Sequence, residues 1–426
     1  MSQEKQKVAV IGLGYVGFPL AVLAATKDYE VFGYDKDEEK LSRIEKGENI
    51  VGEEYIDELL PKVKINVARD ETNLKQCKIF IIAVPTPVDE KYYPDLSFVR
   101  SASETVAKNM ESGALVVVES TINPGVCEEI VKPVFEKKGW EVGKTVYISH
   151  CPERINPGDS KWNVRNIPRV AGSFDEIGLK KTVDFYESIL DATVMPMKTI
   201  REAEAAKIIE NSFRDVNIAF VNELAKSFDL MGIDIVNVIR GAATKPFAFM
   251  PHWPSRGVGG HCIPVDPYYL IEKAKENDFD HRFLRNARAI NNSMPHYTIE
   301  LLQNKLNEIE KSVKGTSIGI LGVSYKANVG DLRESPALKV IEELEKLGGR
   351  LNIFDPYLPK YSNVKNLDEV LEKSEVVVLL TNHSQFLNLP LENFRDNGIR
   401  VIIDGLNCLD KEKIESLGII YKGIGR

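Results

Sequence analysis

The chain opens with a short β-branched apolar run, Val8-Ala9-Val10-Ile11, then a glycine-punctuated turn and an apolar stretch to about Lys27. A second run, Glu30 to Tyr34, ends on Asp35. The first run is continuously apolar, which predicts a strand buried on both faces rather than one with a wet side. Further runs at Ile79–Val84, Leu115–Glu119 and Val146–Ser149 are separated by charge-rich helical stretches. Such alternation predicts a parallel sheet with helices on both faces. The first 200 residues therefore read as one doubly wound domain.

From Arg201 the pattern changes. Glu202 to Met231 carries apolar residues at helical spacing with neither Gly nor Pro, which predicts an unusually long spine helix. A second helical stretch is predicted from about His281 to Lys311. Between them Ala242–Pro267 is rich in Pro, Gly and aromatic residues, a connector long enough to suggest function. After Lys314, strand-like runs return at Ser317–Val323, Arg350–Phe354, Val376–Leu380 and Arg400–Ile403. These predict a second, smaller α/β domain.

Composition narrows the partners. The 426 residues carry a net charge of −8 and no long basic run, which argues against nucleic acid or an anionic membrane as partner. With 43% apolar and 28% charged residues the chain is ordinary globular protein, not disordered. Its five cysteines, Cys77, Cys127, Cys151, Cys262 and Cys408, are scattered, with none of the paired spacing of zinc or redox sites. No metal site is expected, and a reducing, cytoplasmic compartment is. Val8 to Ala25, preceded by Lys5 and Lys7, resembles a secretory leader, but Gly12, Gly14, Gly17 and Pro19 interrupt it where a turn makes better sense. No other segment approaches the ~18 apolar residues of a membrane span.

Gly12-Leu13-Gly14-Tyr15-Val16-Gly17 fits G-x-G-x-x-G directly after a strand and opening a helix. The glycines permit the tight turn, the approach of a pyrophosphate and close helix packing. Asp35 ends the next strand, where a carboxylate accepts from ribose hydroxyls and repels a 2′-phosphate. That favours NAD over NADP, with the neighbouring Lys36 pulling the other way. The turn could pack a helix without any ligand, but the βαβ context and Asp35 favour the dinucleotide. The whole chain then reads as two Rossmann-like doubly wound domains, 1–200 and 313–426, joined by a helical central domain, 201–312. The first turn of the C-terminal domain lacks the triple glycine, so it should hold something other than a dinucleotide.

Gly259-Gly260-His261-Cys262-Ile263-Pro264-Val265-Asp266 places a thiol and a carboxylate four residues apart in the long central loop. On these residues alone a nucleophile and an inert core cysteine are equally good readings. Lys207 and Asn211 stand one helical turn apart on the spine, among small and apolar neighbours, and could equally be a solvated helix-face pair. Ser120-Thr121 and Cys151-Pro152-Glu153-Arg154 each follow a predicted strand, where a parallel sheet lines its ligand crevice. Lys326, Asp331, Arg333 and Glu334 open the C-terminal domain, and a cationic pair there suits a diphosphate, although in isolation the stretch reads more readily as a solvated charged loop.

In this order the pieces resemble the UDP-glucose/GDP-mannose dehydrogenase superfamily along essentially the whole chain. They are GLGYVG at 12–17, VPTP at 84–87, EST at 119–121, Pro-Glu at 152–153, KIIEN at 207–211, GGHCIPVD at 259–266 and YKANVGDLRES at 325–335. CPERINPG, NSFRDVNIAFVNELA and GVGGHCIPVDPYYL look like the branch that oxidises UDP-N-acetylhexosamines, UDP-GlcNAc first among them. The resemblance implies a homodimer through the central helices and two NAD reduced per sugar. It implies catalytic roles for Cys262, Lys207, Asn211, Asp266, Thr121 and Glu153. Cofactor contacts would come from Gly12, Gly14, Tyr15, Val16, Gly17, Asp35, Thr86, Thr121 and Arg333. Contacts to the UDP-sugar would come from Glu153, Arg154, Lys207, Asn211, Gly259 and Lys326. Val265 and Pro157 stand where UDP-glucose enzymes usually carry Lys and Glu, and both depart from that branch. No counterpart is evident for the arginine that members often supply across the dimer; Lys245 and Arg256 are the candidates. A UDP-glucose 6-dehydrogenase is the alternative, with a two-electron β-hydroxyacid dehydrogenase and a non-catalytic nucleotide-sugar binder as more remote ones.

Overall fold

The computed structural model describes residues 5–89, 93–155 and 161–426. They divide into two compact units, Met1–Glu210 with Tyr268–Asp278, and Asn211–Pro267 with Phe279–Arg426. In the first unit β1 (Lys7–Ile11), β2 (Glu30–Tyr34) and β3 (Ile65–Ala68) run outward from the middle of the sheet. The chain then returns to β4 (Ile79–Ile82), β5 (Ala114–Val118), β6 (Val146–His150), β7 (Arg169–Ser173) and β8 (Val194–Pro196) on the other side. The order is β3-β2-β1-β4-β5-β6-β7-β8, parallel throughout except where β7 meets β6. The reversal between β1 and β4 makes the topological switch at which such sheets bind ligands.

Continuous apolar runs are explained by the two cores. Ile79 and Ile81 join Val8 and Val10 on one face of the sheet, while Phe80 and Ile82 join Ala9 and Ile11 on the other. A strand covered on both sides has no polar position to spare. The strands that patterning did not single out, β3, β7 and β8, lie toward the sheet's edges. β7 even begins with an arginine.

The second unit holds a parallel sheet in the order β10-β9-β11-β12-β13: β9 (Ser317–Leu321), β10 (Arg350–Phe354), β11 (Val376–Leu379), β12 (Val401–Asp404) and β13 (Ile420–Gly423). The spine helix is Ile200–Leu230, and its residues from Asn211 onward count in this unit with the helix Arg282–Glu308. There Val221, Ala225, Ile235, Val236, Ile239, Met294, Leu301 and Ile424 bury one another. Each such side chain contributes about 1.5–3 kcal/mol on burial. The fold is thus the α/β arrangement of two Rossmann-like sheets with a helical centre that the pattern predicts.

Candidate active site

The glycine turn of the first unit has the stereochemistry a dinucleotide needs. Gly12 adopts φ +91°, and a Cβ there would overlap the Ala83 carbonyl; one at Gly17 would overlap the Gly12 carbonyl. Gly14, in contrast, has nothing within 4 Å of its Cβ position, so the backbone is bare on the side where a pyrophosphate approaches. Asp35 steadies the turn: its carboxylate accepts from the Leu13 amide at 2.8 Å, the Asp37 amide at 3.0 Å and Lys40 Nζ at 2.7 Å. Burial alone would raise this carboxyl, yet these donors hold it below its ordinary value. Lys36 reaches Ser101 instead, so the cation on Asp35 is Lys40, one turn into the next helix, which sequence reading missed. Tyr15 is half exposed beside the turn, and Val16 caps the helix that starts at Gly17.

The loops leaving β4, β5 and β6 are fixed from behind. Ser120 Oγ accepts from the Val84 amide at 2.9 Å and donates to the Val84 carbonyl at 2.7 Å. The Thr86 carbonyl accepts from Tyr269 Oη at 2.5 Å. Glu204, wholly buried on the spine helix, accepts the amides of Gly125 and Cys127 at 2.6 and 2.9 Å. It thereby anchors the turn after half-buried Thr121. Only its place three residues before Lys207 hinted at that work.

Beneath these loops lies a charged cluster whose glutamates stand in the EST and Pro-Glu strings but whose arginine carried no sequence signal. Arg169, fully buried, donates to Glu153 at 2.6 Å, to Glu119 at 3.4 Å and to the Pro152 carbonyl at 3.3 Å. Tyr186 donates to Glu119 at 2.5 Å. Glu153 Oε1 also accepts the amides of Arg154 and Ile155, so both of its oxygens are occupied by donors of the protein. Arg154 is held bidentately by Glu210 of the spine helix. Pro157 lies outside the described residues. Lys207 is buried to 7% exposure, and among the described residues its ammonium has no hydrogen-bond or ion-pair partner.

In the second unit Cys262 is partly exposed on a tight turn, its carbonyl accepting the amides of Val265 and Asp266 at 3.0 and 2.8 Å. Asp266, nearly buried, starts the next helix, and its carboxylate accepts Asn211 Nδ2 at 2.5 Å. Residues 55 positions apart thus meet beside the thiol turn. Val265 is buried in the core. Gly259 and Gly260 answer a steric demand: a Cβ at Gly259 would lie 2.7 Å from Tyr325 Cβ and 2.8 Å from Pro336 Cδ, and one at Gly260 2.9 Å from the Tyr325 ring. The glycine pair lets the loop of Lys326 pack directly on the cysteine loop. Gly260 also donates to the Arg333 carbonyl, while the Arg333 guanidinium sits on Asp331.

The C-terminal turn repeats the N-terminal device. Gly322 has φ +91°, and Asp355, at the end of β10, accepts from the amides of Val323 and Ser324 and from Ser324 Oγ. His383 adds a fourth contact at 3.1 Å. This carboxylate, like that of Asp35, is engaged by donors of the protein. Arg256, the candidate for reaching a partner, is buried at 3% exposure with Nη2 directed at the Ser324 and Tyr325 carbonyls. Its guanidinium stays inside its own unit. Lys245 instead lies over the Phe247 ring.

The glycine turn with Asp35 at the switch of the first sheet is the device of an NAD-dependent dehydrogenase, and the chain carries a second parallel sheet beside it in sequence. The chain belongs to the UDP-glucose/GDP-mannose dehydrogenase family. Residues 6–190 match its NAD binding domain, 201–293 its central domain and 319–411 its UDP binding domain. It is 35% identical to the UDP-N-acetyl-D-mannosamine dehydrogenase of Pyrococcus horikoshii over 99% of both chains. It is 36% identical to the UDP-N-acetyl-D-glucosamine 6-dehydrogenase of Pseudomonas aeruginosa, covering 96% of this chain and 98% of that one. The solved structure of the UDP-D-ManNAc dehydrogenase from Pyrococcus horikoshii superposes with a TM-score of 0.93 over 99% of both chains. The protein is an NAD-dependent UDP-sugar dehydrogenase, and NAD is its cofactor.

Proposed function

We propose that the protein oxidises the C6 hydroxyl of a UDP-N-acetylhexosamine, UDP-GlcNAc or its C2 epimer, to the uronic acid in two steps through Cys262. The observation that carries this is the Asn211–Asp266 hydrogen bond at 2.5 Å beside the Cys262 turn. It joins the spine motif to the cysteine that follows the Gly259-Gly260 pair. Relatives named for UDP-N-acetylmannosamine and UDP-N-acetylglucosamine support the sugar class. NAD, when bound, takes up the hydride that leaves C6 in each oxidation.

The first oxidation yields an aldehyde, whose carbonyl carbon has no hydride to lose until a nucleophile adds. The Cys262 sulfur bonds to that carbon, the former carbonyl oxygen takes a proton, and a thiohemiacetal results. Loss of its hydride and hydroxyl proton leaves a thioester. Water attacks this, and the acid is released with the thiol restored. Lys207 suits the oxyanion at C6, being a buried ammonium without a counter-charge among the described residues, and Asn211 is one turn further along the helix. Asp266 and Thr121 order the hydrolytic water. Glu153, with both oxygens already accepting, is assigned to holding its loop rather than to taking a proton. Gly12, Gly14, Tyr15, Val16, Gly17, Asp35, Thr86 and Arg333 serve the cofactor, and Lys326 and Gly259 the UDP-sugar. Three parts, 1–200, 201–312 and 313–426, divide this work.

A homodimer through the spine completes the reading. Phe213 and Phe220, seven residues apart on one helix, are 50% and 55% exposed, a stripe suited to a second copy. Five free thiols fit the reducing cytoplasm as compartment. The deciding experiment counts NADH per sugar consumed. Two are expected; one, with free aldehyde, overturns the thioester route.

A further inference from the structure

The loop leaving β6 is held on two sides within the first unit. Behind it, buried Arg169 bridges Glu119 and Glu153, and Glu153 fixes the Arg154 and Ile155 amides at 2.6 and 2.7 Å. In front, Arg154 Nε and Nη2 reach the two Glu210 oxygens at 3.1 and 2.6 Å, and Nη1 donates to the Pro168 carbonyl at 2.9 Å. Arg154 and Glu210 are about one-quarter and one-third exposed. A lone pair of that exposure contributes little to stability. This one differs because the arginine's backbone is immobilised and the pairing is bidentate, which fixes direction as well as distance.

Glu210 is three residues after Lys207 on the spine helix, the spacing at which a lysine and a glutamate readily pair. Lys207 nevertheless has no partner among the described residues. We propose that Arg154 is a positioning residue that sequesters Glu210, keeping that carboxylate off Lys207 so that the lysine ammonium stays available to the oxyanion at C6. The inference rests on the reading of Lys207 as the oxyanion group. Arg154 acts through Glu210 and has no need to touch the sugar.

A merely structural pair would show its losses and recovery in the thermal midpoint, whereas here they are expected in kcat with the midpoint nearly unchanged. Arg154→Ala frees Glu210 to neutralise Lys207 and is expected to lower kcat by about 30-fold or more, with KM for NAD unchanged. Glu210→Gln removes clamp and competitor together and is expected to cost only a few-fold. The double variant Arg154→Ala/Glu210→Gln should therefore recover toward the Glu210→Gln level, with Arg154→Lys, a point charge without the bidentate fork, between wild type and Arg154→Ala. Thermal midpoints and far-UV circular dichroism accompany each assay. A double variant as poor as Arg154→Ala overturns the proposal. So does a loss in Arg154→Ala confined to the acetamido sugar and spared with UDP-glucose, which makes Arg154 a substrate contact. Lys207→Ala separates the two readings. Retained kcat in that variant removes the role of Lys207 itself, whereas an inactive Lys207→Ala beside a fully active Arg154→Ala removes only the present inference.

Discussion

Asp35 shows how one side chain serves two purposes. Its carboxylate accepts from the Leu13 and Asp37 amides and from Lys40, so it builds the glycine turn before any cofactor arrives. The same charge disfavours a 2′-phosphate, and NAD should be preferred over NADP by at least about tenfold in kcat/KM, about 1.4 kcal/mol. Asp35→Ala is expected to narrow that ratio, since Lys40 is then released beside the ribose. Steady-state assays with both cofactors check it, and an unchanged ratio moves the discrimination elsewhere. Cys262→Ser is expected to lose steady-state turnover, because a hydroxyl ionises far less readily than a thiol and an ester is a slower acyl donor. Full turnover in that variant would make Cys262 an ordinary turn residue.

Between elements, the buried Glu119–Arg169–Glu153 cluster joins the carboxyl ends of β5 and β6 to the amino end of β7. Burial raises the Glu119 carboxyl from 4.5 to about 7, with Arg169 opposing and Glu153 adding to the rise. A folded pKa above the unfolded one means that the proton favours the folded state. That contribution is complete below about 4.5 and is lost as pH climbs to about 7. Glu119→Gln cannot ionise, so its thermal midpoint should fall less than that of wild type over this range. Parallel curves from pH 4.5 to 8 would rule the effect out. The contact of the cysteine loop with the Tyr325 loop gives a second expectation. Gly259→Ala inserts a methyl against Tyr325, Pro336 and the Glu334 carbonyl, 2.7 to 2.9 Å away. A cost of about 1–3 kcal/mol in denaturant unfolding is expected, with loss of turnover.

Whole-molecule behaviour is where the substrate is decided. UDP-N-acetylhexosamines should beat UDP-glucose by about 2–3 kcal/mol, roughly 30- to 150-fold in kcat/KM, from burying an acetyl methyl and satisfying one amide hydrogen bond. A panel of UDP-sugars tests this, and a preference for UDP-glucose would leave the two-step chemistry standing with another substrate. Light scattering should give twice the monomer mass, and Phe213→Asp should lower it.

The sequence by itself determined the elements whose reason is local. Continuous Val/Ile runs make doubly covered strands, the unbroken stretch after Glu202 makes the spine, and Gly12 with Gly17 make a turn in which no side chain fits. Spacing after the glycine turn pointed to Asp35, and the family resemblance of short contiguous strings pointed to Lys207, Asn211, Cys262 and Asp266. Pairings in space were not legible there, most of them across long stretches of chain. Lys40 rather than Lys36 meets Asp35, Glu204 holds the turn after Thr121, Arg169 lies between two glutamates, and Arg154 is engaged by Glu210. The glycines before Cys262 are required by the Tyr325 ring and Pro336, some 65 to 77 positions away. A buried charge needs a partner in space, and a bare backbone needs a neighbour in space; neither need leaves a period along the chain.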